Sequence, residues 1–208
     1  SKIAGGAWRV SGVTAKVREL SERGAIYIQD EASQLVAEIV NAQPGDRVLD
    51  VCAAPGGKTT LIAERASDQA EVVGMDVSRR RLSTVARTVD MHHLTSIGLI
   101  IGDANAPLPF EAQAFDRVLL DAPCSGTGTL RHNPEIRWRL KNDDIPALAE
   151  QQKQFLPHAA RVVKPGGLLV YSTCSVEVEE NEEVIRNFLA SNDDFTQLSV
   201  RANTDLLT

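Results

Sequence analysis

Residues 48–58 read Val48-Leu-Asp-Val-Cys-Ala-Ala-Pro-Gly-Gly-Lys58, and this stretch decides the fold. It begins as an apolar run typical of a buried strand, then breaks into a glycine loop that opens a helix. This arrangement is how proteins hold a nucleotide-like cofactor, because the free N–H groups of the first helical turn face the ligand. The stretch therefore predicts an α/β domain with a cofactor at the end of its first strand.

The loop differs from two familiar phosphate-binding patterns. Residues 53–58 lack the Gly-x-x-x-x-Gly-Lys-Ser/Thr spacing of a P-loop, and they do not make a full Gly-x-Gly-x-x-Gly fingerprint either. Hydrolysis of a nucleoside triphosphate is therefore disfavoured.

Strand-like and helix-like segments alternate along the rest of the chain. The predicted strands are 47–51, 71–75, 97–101, 115–120 and 168–172, and the predicted helices are 31–41, 59–66, 78–91, 143–163 and 181–190. This alternation predicts an α/β fold with a doubly wound, mostly parallel sheet, whose ligands lie outside the carboxyl ends of the strands. Residues 122–142 form an irregular loop that is long enough to be functional. Residues 1–30 are a separate, partly basic lead-in.

Composition and charge narrow the class of protein. The chain has 208 residues, of which 43% are hydrophobic and 24% charged, as in an ordinary globular domain. No apolar run approaches the roughly 18 residues of a membrane span. The three cysteines lack metal-ligand spacing, so neither a disulfide framework nor a metal site is expected. We expect a soluble cytoplasmic protein that contacts no membrane.

The net charge of −6 argues against a strongly basic nucleic-acid surface, because phosphate contacts supply most of the affinity. However, residues 177–194 hold seven acids and one arginine, so the remainder is close to neutral. Basic side chains cluster at residues 79–81 and in a segment that contains Arg131, His132, Arg137, Trp138, Arg139 and Lys141. These clusters are compatible with an RNA-contacting surface that is limited to a small part of the protein.

Two cysteines each follow a predicted strand. Cys124 lies in Asp121-Ala-Pro-Cys-Ser-Gly126, and Cys174 lies in Tyr171-Ser-Thr-Cys-Ser175. A parallel sheet presents both segments at one edge, which suggests paired thiol chemistry beside the cofactor.

Two aspartates end the second and third predicted strands. Asp76 stands where a carboxylate accepts hydrogen bonds from ribose hydroxyls, and Asp103 is placed to meet an exocyclic amine. The alternatives are a helix cap for Asp76 and a turn for Asp103.

Five segments resemble the Sun family (NSUN-type) of RNA cytosine-C5 methyltransferases, closest to the RsmB-like bacterial enzymes that modify small-subunit ribosomal RNA. They are Tyr27-Ile-Gln-Asp-Glu-Ala-Ser-Gln-Leu35, Asp50-Val-Cys-Ala-Ala-Pro-Gly-Gly-Lys-Thr59, Asp121-Ala-Pro-Cys-Ser-Gly126, Arg131-His-Asn-Pro-Glu-Ile-Arg-Trp138 and Ser172-Thr-Cys-Ser175. The resemblance implies a Rossmann-like class I S-adenosylmethionine-dependent methyltransferase, with residues 31–208 as its catalytic domain. The implied substrate is RNA, with bacterial 16S ribosomal RNA as the expected one.

By this resemblance the cofactor is S-adenosyl-L-methionine. The implied cofactor-binding residues are Cys52, Ala53, Ala54, Pro55, Gly56, Gly57, Lys58, Asp76, Asp103 and Asp121. Asp76 would contact the ribose and Asp103 the adenine. The thiol of Cys52 is expected to be an inert packing group, whereas Lys58 is expected to have an electrostatic or positioning role because the helix dipole disfavours a cation there.

The resemblance also implies three catalytic residues. Cys174 would attack carbon 6 of the cytosine, Cys124 would help to release the methylated product, and Asp121 would hydrogen-bond or protonate ring nitrogen 3. The base must leave its stack, so Arg131, His132, Arg137 and Trp138 are candidates for RNA contact, with core packing as the alternative for Trp138. Glu180 and Asn181 are candidates for ordering the loop behind the nucleophile, while His92 and His93 are expected to be surface or packing residues.

Two alternatives stay open: a methyltransferase that acts on another nucleobase, a protein or a small molecule, and a noncatalytic RNA-binding factor. An amino-group methyltransferase would typically show Asn/Asp-Pro-Pro-Tyr/Phe at residues 121–124, and a binding factor would be expected to lose the nucleophile or the loop. RsmB-like enzymes carry an additional amino-terminal RNA-binding domain that has no counterpart here. We therefore expect a catalytic fragment or a shorter relative with weak RNA binding, unless the basic residues of the lead-in contribute: Lys2, Arg9, Lys16, Arg18 and Arg23.

Overall fold

Five parallel strands form one sheet in the computed structural model, which describes residues 7–8, 10, 12–141 and 143–199. The strands are β1 (Arg47–Asp50), β2 (Glu71–Asp76), β3 (Ile97–Ile101), β4 (Phe115–Asp121) and β5 (Val163–Ser172). Their order is β3-β2-β1-β4-β5, and every neighbouring pair is parallel. The order reverses between β1 and β4, which opens a crevice at their carboxyl ends. The predicted doubly wound, parallel α/β fold is confirmed.

Helices occupy both faces of this sheet. In the described ranges they are α1 (Ala15–Glu22), α2 (Glu31–Val40), α3 (Gly57–Arg65), α4 (Arg79–Met91), α5 (Ile136–Arg139), α6 (Asp144–Arg161) and α7 (Glu182–Leu189). Side chains cap several of them: Asp30 accepts from the N–H of Ala32, and Ser78 accepts from the N–H of Arg81.

The alternation of strand side chains divides the core between the two faces of the sheet. Leu49, Val118 and Leu120 belong to one hydrophobic cluster, which residues of α6 and α7 complete. Val48 and Leu119 point the other way, into a second cluster with residues of α2 and α3. Because both faces are covered, polar groups that follow the strands gather at the carboxyl edge.

Helix α1 was not predicted. It lies within residues 1–30, buries none of its side chains and starts at Thr14, which accepts from the N–H of Val17. Apart from Ala15, the helix has only two apolar residues, Val17 and Leu20, which are too few to predict a helix from hydrophobic periodicity. Of the basic residues expected to contribute there, Lys16 and Arg23 both pair with Glu19, while Lys2 and Arg9 lie outside the described residues.

The junction of α6 and β5 also differs from the prediction. The helix ends at Arg161, and β5 begins at Val163 rather than at Leu168. Its pairing with β4 shifts register between Phe115 and Arg117, so that Lys164-Pro-Gly-Gly167 bulges from the strand. Lys164 fixes the bulge by pairing with Asp116 at 2.8 Å.

Within the described part of the chain, no helix is both long enough and apolar enough to cross a bilayer.

Candidate active site

The carboxyl ends of β1, β4 and β5 bring the glycine loop, Asp121 and both loop cysteines to one edge of the sheet. The loop follows β1, Asp121 ends β4, and Cys174 comes two residues after β5. These three strands are neighbours in the sheet, which is why segments far apart in sequence meet here.

The two thiols are in direct contact. Sγ of Cys124 and Sγ of Cys174 lie 3.0 Å apart, and the N–H of Cys174 donates to Sγ of Cys124 at 3.1 Å. The N–H of Gly128 donates to the carbonyl oxygen of Cys174 at 3.0 Å. The segment after β4 and the segment after β5 are therefore held together around the sulfur pair.

The contact between the sulfurs shifts the pKa values of the two cysteines in opposite directions. The hydrogen bond with Cys124 lowers the pKa of Cys174 to about 7, although partial burial opposes this shift. The same hydrogen bond, together with burial, raises the pKa of Cys124 far above the ordinary thiol value. As the pH rises through about 7, Cys174 therefore ionises while Cys124 keeps its proton. A thiolate is the nucleophilic form of cysteine.

An ion pair lies beside the sulfurs. Nζ of Lys58 is 2.7 Å from Oδ2 of Asp121, and the hydroxyl of Ser172 donates to Oδ1 of Asp121 at 2.6 Å. Lys58 stands in the first turn of α3, where the helix dipole disfavours a cation, and the carboxylate of Asp121 compensates for that position. Both oxygens of Asp121 are thus fixed at the sheet edge.

The glycine loop borders a cavity of about 230 Å³. Its walls include Tyr27, Gln29 and Ser33 from the segment around the start of α2, as well as Asp50, Lys58 and Asp121 from the sheet edge. A Cβ atom at Gly57 would lie 2.6 Å from the ring of Tyr27, so the close approach of this ring requires glycine. Tyr27 and Gln29 belong to one of the five family-like segments, but no role in the cavity was predicted for either residue.

Asp50 was not singled out from the sequence, yet it is the most unusual acid of this cavity. It is 1% exposed, its Oδ2 accepts from the hydroxyl of Thr59 at 2.7 Å, and its Oδ1 has no partner among the described residues. Burial raises the pKa of Asp50 to about 7. An unpartnered, buried carboxylate oxygen beside a cavity suits a ligand that carries a cationic or donor group. Its position at the end of β1, like those of Asp76 and Asp121 at their strand ends, was the available signal.

Asp76 and Asp103 lie further along the same edge. Oδ1 of Asp76 accepts from the N–H of Ser78 at 2.8 Å and from Arg81 at 2.8 Å. Oδ1 of Asp103 accepts from the backbone and side chain of Asn105, each at 2.9 Å. Asp76 is therefore not the cap of α4, which is Ser78, although it holds the chain that leads into this helix. The contacts of Asp103 are the turn that the sequence allows as an alternative. Both ligand roles stay predictions.

Cys52 differs from the other two cysteines. Its side chain packs against the cluster of Leu49, Val118 and Leu120, and burial raises its pKa strongly. Its thiol is therefore a packing group, as expected. Among the residues that the structure describes, no three His, Cys, Asp or Glu side chains are grouped so that they could hold a metal ion.

A larger groove of about 630 Å³ opens on the other side of Cys124, between α5 and the first turns of α6. Ile136 and Leu140 give it an apolar wall, while Arg139 and Gln151 add polar groups. Trp138 is 89% exposed in α5, so the core-packing alternative for this residue is wrong. Arg131, His132 and Arg137 are exposed in the same segment.

The two histidines next to α4 lie away from the sulfur pair. His92 contacts the ring of Tyr27 at 5.8 Å between centroids and pairs with Glu64 at 3.0 Å. His93 is exposed. These positions fit the packing and surface roles that the sequence predicts.

The parallel sheet with this strand order, the glycine loop after β1 and the acids at the strand ends define a Rossmann-like methyltransferase domain of class I. The family model described as 16S rRNA methyltransferase RsmB/F matches residues 37–206. The chain belongs to this family, as its motifs predicted.

Named relatives agree with this assignment. The chain is 43% identical over 190 residues to "Probable ribosomal RNA small subunit methyltransferase B" of Synechocystis sp., which covers 90% of this chain and 43% of the relative. It is 44% identical over 167 residues to "Ribosomal RNA small subunit methyltransferase B" of Vibrio cholerae, with 80% of this chain and 38% of the relative covered. The chain thus spans less than half the length of these curated relatives.

A solved structure is similar to this chain in both fold and sequence. The crystal structure of NSun6 from Pyrococcus horikoshii with SFG superposes with a TM-score of 0.76 at 31% identity, covering 84% of this chain and 44% of that one.

Proposed function

We propose that this chain transfers a methyl group from S-adenosyl-L-methionine to carbon 5 of cytosine in RNA, through a covalent bond between Cys174 and the base. The observation that carries the proposal is the pair of sulfurs 3.0 Å apart, beside the ion pair of Lys58 and Asp121. Carbon 5 of cytosine is a poor nucleophile, so the reaction needs a partner that adds to carbon 6. A thiolate is suited to this task.

The cavity of the glycine loop supports S-adenosyl-L-methionine as the cofactor. The unpartnered Oδ1 of Asp50 suits the amino group of its methionine part, and the chain from Cys52 to Lys58 would surround this part. Asp76 would accept from the ribose hydroxyls and Asp103 from the adenine amine, as the sequence predicts. When bound, the cofactor supplies an electrophilic methyl group on sulfur. Residues 31–208 form the catalytic domain in this proposal, and Tyr27 and Gln29 from the lead-in complete its cavity.

Cys174 and Asp121 at the sheet edge have different roles in the first chemical steps. The Cys174 thiolate forms the bond to carbon 6. Ring nitrogen 3 gains a proton from the ammonium of Lys58, which Asp121 relays, and the proton returns along the same contact when Cys174 is expelled. Lys58 and Ser172 fix the position of Asp121. Addition leaves an enamine, whose electron pair at carbon 5 would form the bond to the methyl carbon as the bond from that carbon to sulfur breaks and leaves a neutral thioether. The lowered pKa of Cys174 supports its assignment as the nucleophile.

Cys124 then acts in product release. Once Cys174 is bonded to carbon 6, it no longer carries the charge that keeps Cys124 protonated, while its N–H still donates to Sγ of Cys124. Cys124 can therefore ionise and remove the proton from carbon 5. Loss of this proton restores the double bond between carbons 5 and 6 and expels Cys174 as a thiolate.

The RNA is proposed to be small-subunit ribosomal RNA, which acts as the substrate in the cytoplasm. Support comes from the names of the relatives and from the exposed segment of Arg131, Arg137 and Trp138 next to the groove at Cys124. A cytosine in structured RNA must leave its stack to reach the sulfurs, and exposed aromatic and arginine side chains can replace the lost stacking.

Transfer of a tritiated methyl group to 16S ribosomal RNA tests the proposal. The protein should label cytosine carbon 5, and Cys174→Ala should abolish labelling. RNA that contains 5-fluorocytosine should form an adduct at Cys174, because fluorine cannot leave as a proton does. Ser191→Ala is the control, since Ser191 is exposed in the turn that follows α7. Full activity of Cys174→Ala, or labelling of another atom, would contradict the proposal.

A further inference from the structure

We propose that Glu180 is a positioning residue, whose buried carboxylate clamps the chain on both sides of Cys124 and so holds this thiol against Cys174. This inference rests on the proposed function, because it assigns Glu180 to the step that Cys124 performs. Glu180 lies six residues after Cys174, in the short 3₁₀ helix Val178–Glu180.

The carboxylate of Glu180 holds the residue that follows Cys124. Its Oε1 accepts from the N–H of Ser125 at 2.9 Å, and its Oε2 accepts a short hydrogen bond from the hydroxyl of Ser125. Glu180 is fully buried, at 0% exposure, although it belongs to the most acidic segment of the chain. It is thus an exception to the exposure that is usual for charged side chains.

Gln152 of α6 extends the clamp to the residue that precedes Cys124. Its amide donates to Oε1 of Glu180 at 3.0 Å and to the carbonyl oxygen of Pro123 at 2.9 Å. Gln152 is also fully buried. Pro123 and Ser125 are therefore both fixed by one buried pair of side chains, and Cys124 lies between them.

The surroundings of this carboxylate favour a functional role. Its partners are neutral donors from Ser125 and Gln152, and burying a carboxylate is costly unless hydrogen bonds replace its water shell. An apolar side chain would fill the same space at lower cost. Unlike an apolar side chain, the carboxylate accepts hydrogen bonds that hold the backbone on both sides of Cys124 in place.

The loop of Cys174 has supports of its own, besides the contact of 3.1 Å between the hydroxyls of Ser125 and Ser175. Asn181 donates to the carbonyl oxygens of Ser175 and Glu177, at 3.2 and 2.8 Å, and accepts from the hydroxyl of Thr173 at 2.7 Å. Removing the carboxylate of Glu180 therefore disturbs Cys124 more than Cys174. In the proposed reaction, this means that release of the product suffers more than transfer of the methyl group.

Glu180→Gln tests this division, with Glu179→Gln as the matched control because Glu179 is the adjacent, exposed glutamate. We expect Glu180→Gln to keep single-turnover methyl transfer near the wild-type rate at about pH 9.5, above the ordinary thiol pKa of about 8.5, where Cys174 is ionised in both proteins. Multiple turnover should fall about 10- to 100-fold, as for a small displacement of a reacting group, and a covalent complex with RNA should accumulate. Glu179→Gln should leave both rates unchanged. An equal loss in single and multiple turnover would overturn the proposal.

A combined variant separates positioning from a general effect on structure. If Glu180 acts through Cys124, Glu180→Gln should add no further loss of turnover to Cys124→Ala. Additive losses in the double variant would contradict the clamp.

A second readout does not depend on methyl transfer. The groups that shift the pKa of Cys174 are Cys124, Asp121 and Lys58, and the hydrogen bond with Cys124 is the largest of these effects. The alkylation rate of Cys174 by iodoacetamide, followed by mass spectrometry, should therefore rise with an inflection near pH 7. In Glu180→Gln this inflection should move up towards the ordinary thiol value, and an unchanged inflection would overturn the clamp.

This readout distinguishes the two proposals. A shifted inflection in a protein that methylates no RNA would reject the proposed function and leave the clamp standing. Should Glu180→Gln not fold, as judged by circular dichroism, Ser125→Ala removes one of the two hydrogen bonds from Ser125 without changing charge. The same upward shift, of smaller size, is expected in that variant, and no shift would overturn the clamp.

Discussion

Lys58 and Asp121 form a 2.7 Å ion pair that joins the first turn of α3 to the end of β4. The two residues are 63 positions apart, and the side chains are 21% and 28% exposed. This contact links the glycine loop, where the cofactor is proposed to bind, to the segment that carries Cys124. It is therefore a connection between the two halves of the proposed site.

Lys58→Met should lower kcat strongly and stability little. Loss of the ammonium leaves Asp121 with Ser172 as its remaining partner, so its carboxylate is no longer held towards the base. A partly exposed ion pair contributes only about 0–1 kcal/mol to folding. Lys164→Met is the matched control, because Lys164 pairs with Asp116 at 2.8 Å in the bulge of β5, away from the sulfurs. Similar losses of kcat in both variants would argue against a role for Lys58 in the site.

The single-turnover rate of methyl transfer should rise with pH through about 7. Cys174 reacts as a thiolate, and its pKa is lowered to about 7 by the hydrogen bond with Cys124, so the reactive form increases as the pH passes this value. Rates measured from about pH 5.5 to about pH 8.5, roughly 1.5 units on each side of this pKa, give the inflection. In Cys124→Ala the inflection should move upwards because the hydrogen bond is lost. A rate that is flat across this range would contradict the assignment of Cys174.

Much of this site follows from the sequence, since each site motif directly follows a strand and parallel strands bring their carboxyl ends to one edge. Cys124 and Cys174 were placed together on that basis, and the family resemblance added Asp121. Asp50 ends β1, so the same reasoning could have found its place, but not its unpartnered oxygen. Gln152 could not be found in this way, because its importance depends on burial and on shared hydrogen-bond partners. The bulge of β5 was missed for a related reason: Lys164-Pro-Gly-Gly167 is typical of a helix end, and only its pairing with β4 places it in a strand.

Asp50→Asn should stabilise the cofactor-free protein at pH 8 and weaken cofactor binding. Burial raises the folded-state pKa of Asp50 from 3.8 to about 7, so the neutral carboxyl favours the folded state. That contribution is fully present below the unfolded pKa and is lost as the pH rises towards the folded pKa. At pH 8 the ionisation of Asp50 therefore lowers the free energy of unfolding by at most about 4 kcal/mol, from 1.36 kcal/mol per pKa unit.

Thermal unfolding at pH 5 and pH 8, two values that lie below and above the raised pKa, measures this effect. Asp50→Asn should have a smaller decrease in Tm between them than the wild type, and calorimetry should detect weaker binding of S-adenosyl-L-methionine. Asp90→Asn serves as the control because Asp90 is exposed at the end of α4. An unchanged pH dependence in Asp50→Asn would show that Asp50 is not a buried titrating group.

Trp138→Ala should weaken RNA binding without destabilising the fold. The indole is 89% exposed in α5, so its removal costs little packing, whereas stacking on a base contributes about 1–3 kcal/mol, or roughly 5- to 150-fold in Kd. Trp138→Phe is the matched control, because it keeps an aromatic face and should retain most of the affinity. Fluorescence anisotropy with a labelled fragment of 16S ribosomal RNA gives Kd, and thermal unfolding checks the fold. Equal Kd values for the alanine variant and the wild type would exclude this side chain from the RNA-contacting face.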